Sequence, residues 1–109
     1  MKPVTSRESV DCVVVADHDA ACAHGAGAVY FVRNEAGQGT HVGVVLPCDT
    51  DPVAPREIPV DGSRGWRWDG NLEKPSMEPS ILASITWGPD RQYIELWHGF
   101  MRNGRLVSC

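Results

Sequence analysis

The chain has 109 residues, of which 42% are hydrophobic and 22% charged, and its formal net charge is −4. These values are typical of a globular protein and exclude disorder along the whole chain. The length predicts one domain over residues 1–109, and the mildly acidic balance argues against non-specific binding to nucleic acid.

The composition also argues against a membrane protein. The longest aliphatic run, Val13 to Ala16, is far shorter than the roughly 20 residues that a spanning helix needs. The first residues, Met-Lys-Pro-Val-Thr-Ser, lack the apolar segment of a secretory signal. We therefore expect a cytoplasmic protein with no membrane partner, whose cysteines are reduced thiols. These are Cys12, Cys22, Cys48 and Cys109.

The first half predicts short strands joined by loops. Val10 to Ala16 is apolar and β-branched, which is typical of a buried strand. Residues 28–34 and 41–46 are Val-rich and flank a loop of about six residues with two glycines, so we expect a hairpin. Residues 17–27 have no clear period and predict a loop or one helical turn. Residues 57–60 predict an edge strand after a proline-rich connection.

The second half predicts a strand at Trp66-Arg67-Trp68, an extended loop from Leu72 to Pro79, and then two hairpins. The alternating segments 80–87 and 93–100 form the first hairpin. Asn103-Gly104 turns the second, because a two-residue type I′ turn needs positive φ at both central residues.

Roughly seven or eight short strands with little helix indicate a mainly β fold. We expect a small antiparallel sandwich or half-open barrel. At least three of the four tryptophans should be mostly buried, because a small core needs their apolar area.

Ser80 and His98 are candidates for nucleophilic catalysis. Ser80 opens one strand of a predicted hairpin and His98 lies near the end of its partner, so antiparallel pairing brings the two side chains together. An imidazole that accepts the hydroxyl proton is the minimum unit of a serine nucleophile. Glu73 or Asp69 could orient the imidazole. The alternative is a hydroxyl and an imidazole that only cap or pack.

Two other features carry open alternatives. The loop from Trp66 to Ile81 could hold functional side chains or serve as a structural Ω-loop. The first half also contains soft and borderline metal ligands that could surround zinc, although their spacing matches no paired pattern. Loop histidines and small buried cysteines are the alternative for this set, which consists of His18, Cys22, His24, His41 and Cys48.

The longest motif begins at Trp66: Trp-x-Trp-Asp-Gly-Asn-x-Glu-Lys-Pro-Ser-x-x-Pro-Ser-Ile, followed later by Trp-His-Gly-Phe-x-x-Asn-Gly. It resembles the family catalogued as domain of unknown function 6527, small bacterial and phage proteins of which some are encoded beside ubiquitin-like conjugation systems. The resemblance covers about residues 66–109. It implies a β-rich, zinc-containing fold and a serine-peptidase-like activity on ubiquitin-like proteins. By position it makes Ser80 the nucleophile, His98 the base and Glu73 the matching acidic residue.

The chain departs from that family in its cysteines. Members have a Cys-Pro-x-Cys-like pair before the tryptophan strand, a cysteine before the motif histidine and a Cys-Thr-His near the C-terminus. In this chain only Leu-Pro-Cys48 remains of the cysteine pair, and Trp97 precedes the motif histidine. The sequence ends at Cys109, without the Cys-Thr-His. A complete family-type zinc site cannot be assembled, so we expect a phage-type member without metal or other cofactor.

Three hypotheses follow. The first is a small serine-type hydrolase that acts on a protein substrate, by resemblance the tail of a ubiquitin-like protein. The second is a non-enzymatic phage or mobile-element accessory protein that binds a host protein through the Trp66–Ile81 loop. The third is a metal-binding module. A short Ser80–His98 distance beside an open groove would favour the enzyme. A buried Ser80 would favour the binding protein, and four metal ligands that converge on one point would favour the metal-binding module.

Overall fold

The protein contains two β-sheets, and the computed structural model describes residues 3–49 and 53–109. In these residues there are nine strands and one helix: β1 (Val10–Asp11), β2 (Val13–Val14), α1 (His18–His24), β3 (Ala28–Arg33), β4 (Gly39–Val44), β5 (Arg56–Pro59), β6 (Arg67–Trp68), β7 (Met77–Trp87), β8 (Gln92–Arg102) and β9 (Arg105–Ser108). The five-stranded sheet has the order β1-β9-β8-β7-β6, and the four-stranded sheet has the order β2-β3-β4-β5.

The main core lies between the two sheets. Every second residue of a strand points to the same face, and this alternation turns Met77, Ile81 and Ala83 of β7 inward. Trp97 and Met101 of β8 lie beside them, with 1% and 0% of their surfaces exposed. The two layers bury their apolar faces against each other, so the predicted mainly β sandwich is confirmed. The four-stranded sheet contributes Val29, Val42, Val44 and Ile58.

Trp97 is the largest fully buried side chain. Its indole N–H donates a hydrogen bond of 2.9 Å to the carbonyl of Glu8, which ties the N-terminal segment to β8. The six-membered part of the ring lies over Gly99, where any Cβ would collide with the indole and with the carbonyl oxygen of Val107. The residue after His98 is therefore a glycine for a packing reason.

The other tryptophans agree with the expected burial. Trp66 and Trp68 are half-buried against the core. Trp68 also stacks on Phe31 of the other sheet, with 4.5 Å between ring centroids. Only Trp87, at the tip of the β7–β8 hairpin, is 41% exposed, so the prediction of three mostly buried tryptophans is confirmed.

The segment Val10 to Ala16 is not the single buried strand that its composition predicts. It divides into β1, which pairs with β9, and β2, which pairs in parallel with β3 of the other sheet. Val13 and Val14 are 42% and 37% exposed. The chain switches sheets at Cys12, whose N–H donates to the carbonyl of Gly104, and a short crossing segment cannot bury both of its faces.

The helix is longer than the single turn expected of residues 17–27. Asp17 caps it by accepting the N–H of Ala20, and Gly25 ends it with φ of 88°. Within residues 3–49 and 53–109, no helix is long and apolar enough to cross a membrane.

Two strand boundaries also differ from the sequence prediction. β7 begins at Met77, inside the predicted loop, because Met77 and Glu78 pair with β6. The loop between β3 and β4 spans residues 34–38 and is held by the Asn34 side chain, which accepts the N–H of Gln38. The predicted edge strand at 57–60 is confirmed as β5.

Gly104 should be intolerant of a side chain. Asn103 and Gly104 have φ of 52° and 74°, which confirms the predicted tight turn, and a Cβ on Gly104 would lie 3.0 Å from Lys74 Cα. We expect Gly104→Val to lower the free energy of unfolding by about 2 kcal/mol, from the left-handed backbone and the crowding together. Chemical denaturation measures the change. Asn103→Gly, which suits the same turn, should stay within about 0.5 kcal/mol of the wild type; equal losses in both variants would contradict this assignment.

Asp49 should contribute more stability than an exposed acid. Its side chain is 8% exposed, accepts two bonds from the Arg56 guanidinium at 2.8 and 3.1 Å, and accepts the N–H of Leu46 at 3.2 Å. Asp49→Asn should cost about 2 kcal/mol, because the Arg56 guanidinium loses the charged bidentate partner that the buried carboxylate provides. Asp11→Asn is the control: Asp11 is 86% exposed and 3.6 Å from Arg105, so its loss should cost less than about 0.5 kcal/mol. Similar melting shifts for the two variants would refute the difference.

Candidate active site

Ser80 and His98 meet on the outer face of the five-stranded sheet. His98 pairs with Leu82 across β7 and β8, and Leu82 is 46% exposed, so both positions face away from the core. Ser80 lies two residues before Leu82 and shares its face. The Ser80 Oγ lies 3.1 Å from His98 Nε2, within the reach expected of a nucleophile and its base.

The pairing pattern explains why these side chains come so close. The carbonyl of His98 accepts the N–H of Cys109 on the β9 side, so the backbone of His98 does not bond toward β7. His98 and Leu82 are therefore a non-hydrogen-bonded pair, the kind in which side chains approach most closely. When Nε2 is unprotonated, the Ser80 hydroxyl can donate its proton directly to it.

A bulge in β7 sets the position of Ser80. Met77 pairs with Met101 and Ile81 with Gly99, so three residues of β7 stand opposite one residue of β8. Bulges of this kind redirect side chains and often lie beside functional sites. The Ser80 carbonyl accepts the Trp66 indole N–H at 3.4 Å, which connects the serine to the strand before the loop.

A groove of about 470 Å³ lies on the His98 side of the pair. Its walls come from the N-terminal segment and from the end of β9, because Ser6 N–H bonds to the Leu96 carbonyl and Cys109 N–H to that of His98. Arg7 and Glu95 give the groove one charge of each sign. Its lining residues are Thr5, Ser6, Arg7, Glu95, Trp97, His98, Ser108 and Cys109.

A second groove of about 480 Å³ is lined by Pro79, which precedes Ser80, and by Phe100. The Arg102 guanidinium lies 4.1 Å from the centre of the Phe100 ring and covers its outer side. One groove thus includes His98 in its lining, and the other includes the residue that precedes Ser80.

Sequence reasoning missed Arg7 and Glu95. A second bulge leaves Leu96 unpaired between Glu95, opposite Ser84, and Trp97, opposite Ala83. The extra residue reverses the alternation, so Glu95 shares the face of His98 although it lies three positions away. No local sequence signal marks this bulge, and the approach of Arg7 depends on how the N-terminal segment packs.

Glu73 is exposed and lies in the loop between β6 and β7. Its neighbour Lys74 packs against the turn at Gly104, which joins β8 to β9. Among the described residues no hydrogen bond or ion pair joins the Glu73 carboxylate to the imidazole, so no contact supports its orienting role, which stays a prediction. Asp69, the other carboxylate considered, accepts the N–H groups of Asn71 and Ser76.

The loop around Glu73 is held by its own side chains. Asn71 Oδ1 accepts the N–H groups of Glu73 and Lys74, both at 2.9 Å. These bonds use the N–H groups of Glu73 and Lys74, and Pro75 and Pro79 have none, so these four residues offer no free N–H group to a developing oxyanion. The bonding favours the structural interpretation of this part of the loop.

The candidate zinc ligands are not gathered into one site. His18 and Cys22 face each other on α1, with 3.8 Å between Nδ1 and Sγ, while His41 bonds to Thr40 on β4. Burial raises the pKa of Cys48 to about 11, so its thiol is protonated at neutral pH. In the described part of the chain, no three His, Cys, Asp or Glu residues are placed to share a metal ion, so these donors do not fit zinc.

A family model described as "Bacterial ubiquitination-like system serine protease (BubE)" matches residues 14–109. The chain belongs to this BubE family. The expected membership of a small serine-protease family is confirmed, and the match extends well into the first half of the chain. The assignment to domain of unknown function 6527 stays a prediction. Searches of curated proteins and of solved structures give no significant match.

Glu73→Gln tests the acidic position that the resemblance assigns. We expect the rate at which a fluorophosphonate labels the protein to change by less than about threefold, because no contact links this carboxylate to His98. Loss of an orienting carboxylate from a Ser-His-Asp site lowers kcat by about 10⁴-fold. A drop of that size, with the fold intact by circular dichroism, would restore Glu73 to the catalytic unit.

Proposed function

We propose that this BubE family member is a serine hydrolase in which Ser80 is the nucleophile and His98 the general base. The observation that carries the proposal is the 3.1 Å contact between Ser80 Oγ and His98 Nε2 on an open sheet face. Both residues are half-buried, so the hydroxyl is held in place yet remains within reach of a substrate.

The reaction follows from these two groups. Ser80 Oγ attacks the carbonyl carbon of an acyl bond while its proton passes to Nε2 of His98. The tetrahedral intermediate collapses, the carbon–leaving-group bond breaks, and the leaving group takes the proton from the imidazole. Water then attacks the acyl-enzyme with the same proton transfers and releases the acid and free Ser80. Each proton transfer in these steps passes through His98, and Ser80 carries the acyl group, so the proposed reaction needs no cofactor.

The proposed substrate is the extended tail of a ubiquitin-like protein. The family description places these proteases in ubiquitination-like systems, which supports a protein substrate. The two grooves support an extended polypeptide, because one is lined by His98 and the other by Pro79, the residue before the reacting serine. Their charges are mixed, which suits a neutral or weakly charged chain better than a polyanion.

Ser80→Ala and His98→Gln test the proposal in one experiment. A fluorophosphonate should label the wild type at Ser80, identified by peptide mass spectrometry, and the wild type should cleave a ubiquitin-like protein fused to a C-terminal reporter. Ser80→Ala should abolish both signals, and His98→Gln should lower each rate at least about 10³-fold, because the pair acts as a unit. Both variants should melt within a few degrees of the wild type.

Ser63→Ala is the matched control, because Ser63 is exposed and lies in a loop after β5. It should label and cleave like the wild type. Cleavage by a folded Ser80→Ala would reject Ser80 as the nucleophile. Binding of the fusion protein without cleavage or labelling by the wild type would favour the non-enzymatic binding protein instead.

A further inference from the structure

The edge of β7 beside Ser80 has no partner strand in residues 3–49 and 53–109. β6 pairs only with Met77 and Glu78, whereas β7 continues to Trp87. No backbone hydrogen bond within the described residues joins the stretch from Ile81 to Trp87 to anything on the β6 side. Seven residues of an eleven-residue strand thus offer a free edge that begins next to the proposed nucleophile.

Two independent contacts show which backbone groups point out of this edge. The Ser80 carbonyl accepts the Trp66 indole, which lies on the β6 side. Leu82 is in a non-hydrogen-bonded pair with His98, so its N–H and carbonyl point away from β8. The bulge between Ala83 and Ser84 adds its extra residue to β8, so β7 itself keeps its alternation and the same direction follows for Ser84 and Thr86. Three N–H groups and three carbonyls therefore repeat along the edge about every 6.8 Å.

The edge from Ile81 to Trp87 carries no charged residue and no proline, and the bulge opposite it adds its extra residue, Leu96, to β8. Exposed edge strands usually carry charges, prolines or bulges that prevent pairing with another chain. The segment Ser-Ile-Leu-Ala-Ser-Ile-Thr-Trp, from Ser80 to Trp87, contains no charged residue and no proline. The side chains on the outer face of this segment, Leu82 and Ser84 among them, are uncharged, so they do not repel a strand added at the edge.

We propose that the free edge of β7 binds an extended segment of the protein substrate as an added β-strand, paired with Leu82, Ser84 and Thr86. Main-chain pairing supplies affinity without demanding a particular sequence, and alternate substrate side chains then reach the outer face. The end of the bound segment crosses onto that face at Ser80, where the scissile carbonyl meets Oγ. The inference rests on the proposed hydrolase activity and adds the means by which its substrate is held.

Ser84→Pro removes one outward N–H while leaving the inward pairs with β8 in place, and proline is tolerated on an edge strand. Cleavage of the ubiquitin-like reporter fusion should fall at least about tenfold, while fluorophosphonate labelling of Ser80, which needs no strand pairing, should stay within about twofold of the wild type. Cleavage at the wild-type rate would overturn the edge proposal. Absence of labelling in the wild type would instead overturn the proposed hydrolase.

Amide hydrogen exchange tests the same edge without a substitution in it. In folded Ser80→Ala mixed with an excess of the reporter fusion, the amides of Leu82, Ser84 and Thr86 should exchange at least about tenfold more slowly, while those of Ile81, Ala83 and Ile85 should not change. Unchanged exchange at the outward amides would overturn the proposal even if Ser84→Pro failed to fold. If exchange at these amides slows as the protein's own concentration rises in the absence of the fusion, the edge binds a second copy of the protein. That result would also overturn the proposal.

Discussion

The pairing of β7 with β8 is the constraint on which the candidate site depends. In an antiparallel pair, a slip of one residue moves every side chain to the opposite face. The register is fixed by the core, because Ile81, Ala83, Trp97 and Met101 must all point between the sheets. Burial of large apolar side chains on one face therefore determines, residue by residue, which polar groups appear on the other. Ser80 and His98 come together as a consequence of packing that they take no part in.

Departures from regular pairing provide what a plain hairpin could not. A uniform strand from Met77 to Trp87 would present evenly spaced side chains and no concave surface. The bulge before Ile81 displaces Ser80, and the bulge at Leu96 turns Glu95 toward the groove. The N-terminal segment, bonded through Ser6 and Glu8, raises one wall beside the imidazole. The site is thus built from irregularities superimposed on a sheet that the core holds in register.

Much of this could be predicted from the sequence, where local rules act alone. Asn103-Gly104 predicted a turn, because few residues tolerate positive φ. The alternation of residues 80–87 predicted a strand, and the proximity of Ser80 and His98 followed from the pairing of that strand. The prediction of one buried strand from Val10 to Ala16 was wrong, because the division of this segment between two sheets depends on partners far away in the chain. The grooves, the bulge at Leu96 and the placement of Glu73 likewise arise from contacts between segments far apart in the chain, for which composition and spacing carry no signal.

The glycine that follows His98 has a consequence for how mutational data on this protein should be interpreted. Under the proposed hydrolase mechanism, a saturation mutagenesis experiment scored by activity would find almost no tolerated substitution at His98 or at Gly99, and their adjacency would suggest a single functional dipeptide. Their intolerance has different origins: the imidazole contacts Ser80, whereas Gly99 makes space for the Trp97 ring on the opposite face of the strand. Scoring protein abundance beside activity would separate them, because substitutions at Gly99 would deplete the folded protein while those at His98 would leave it abundant and inert.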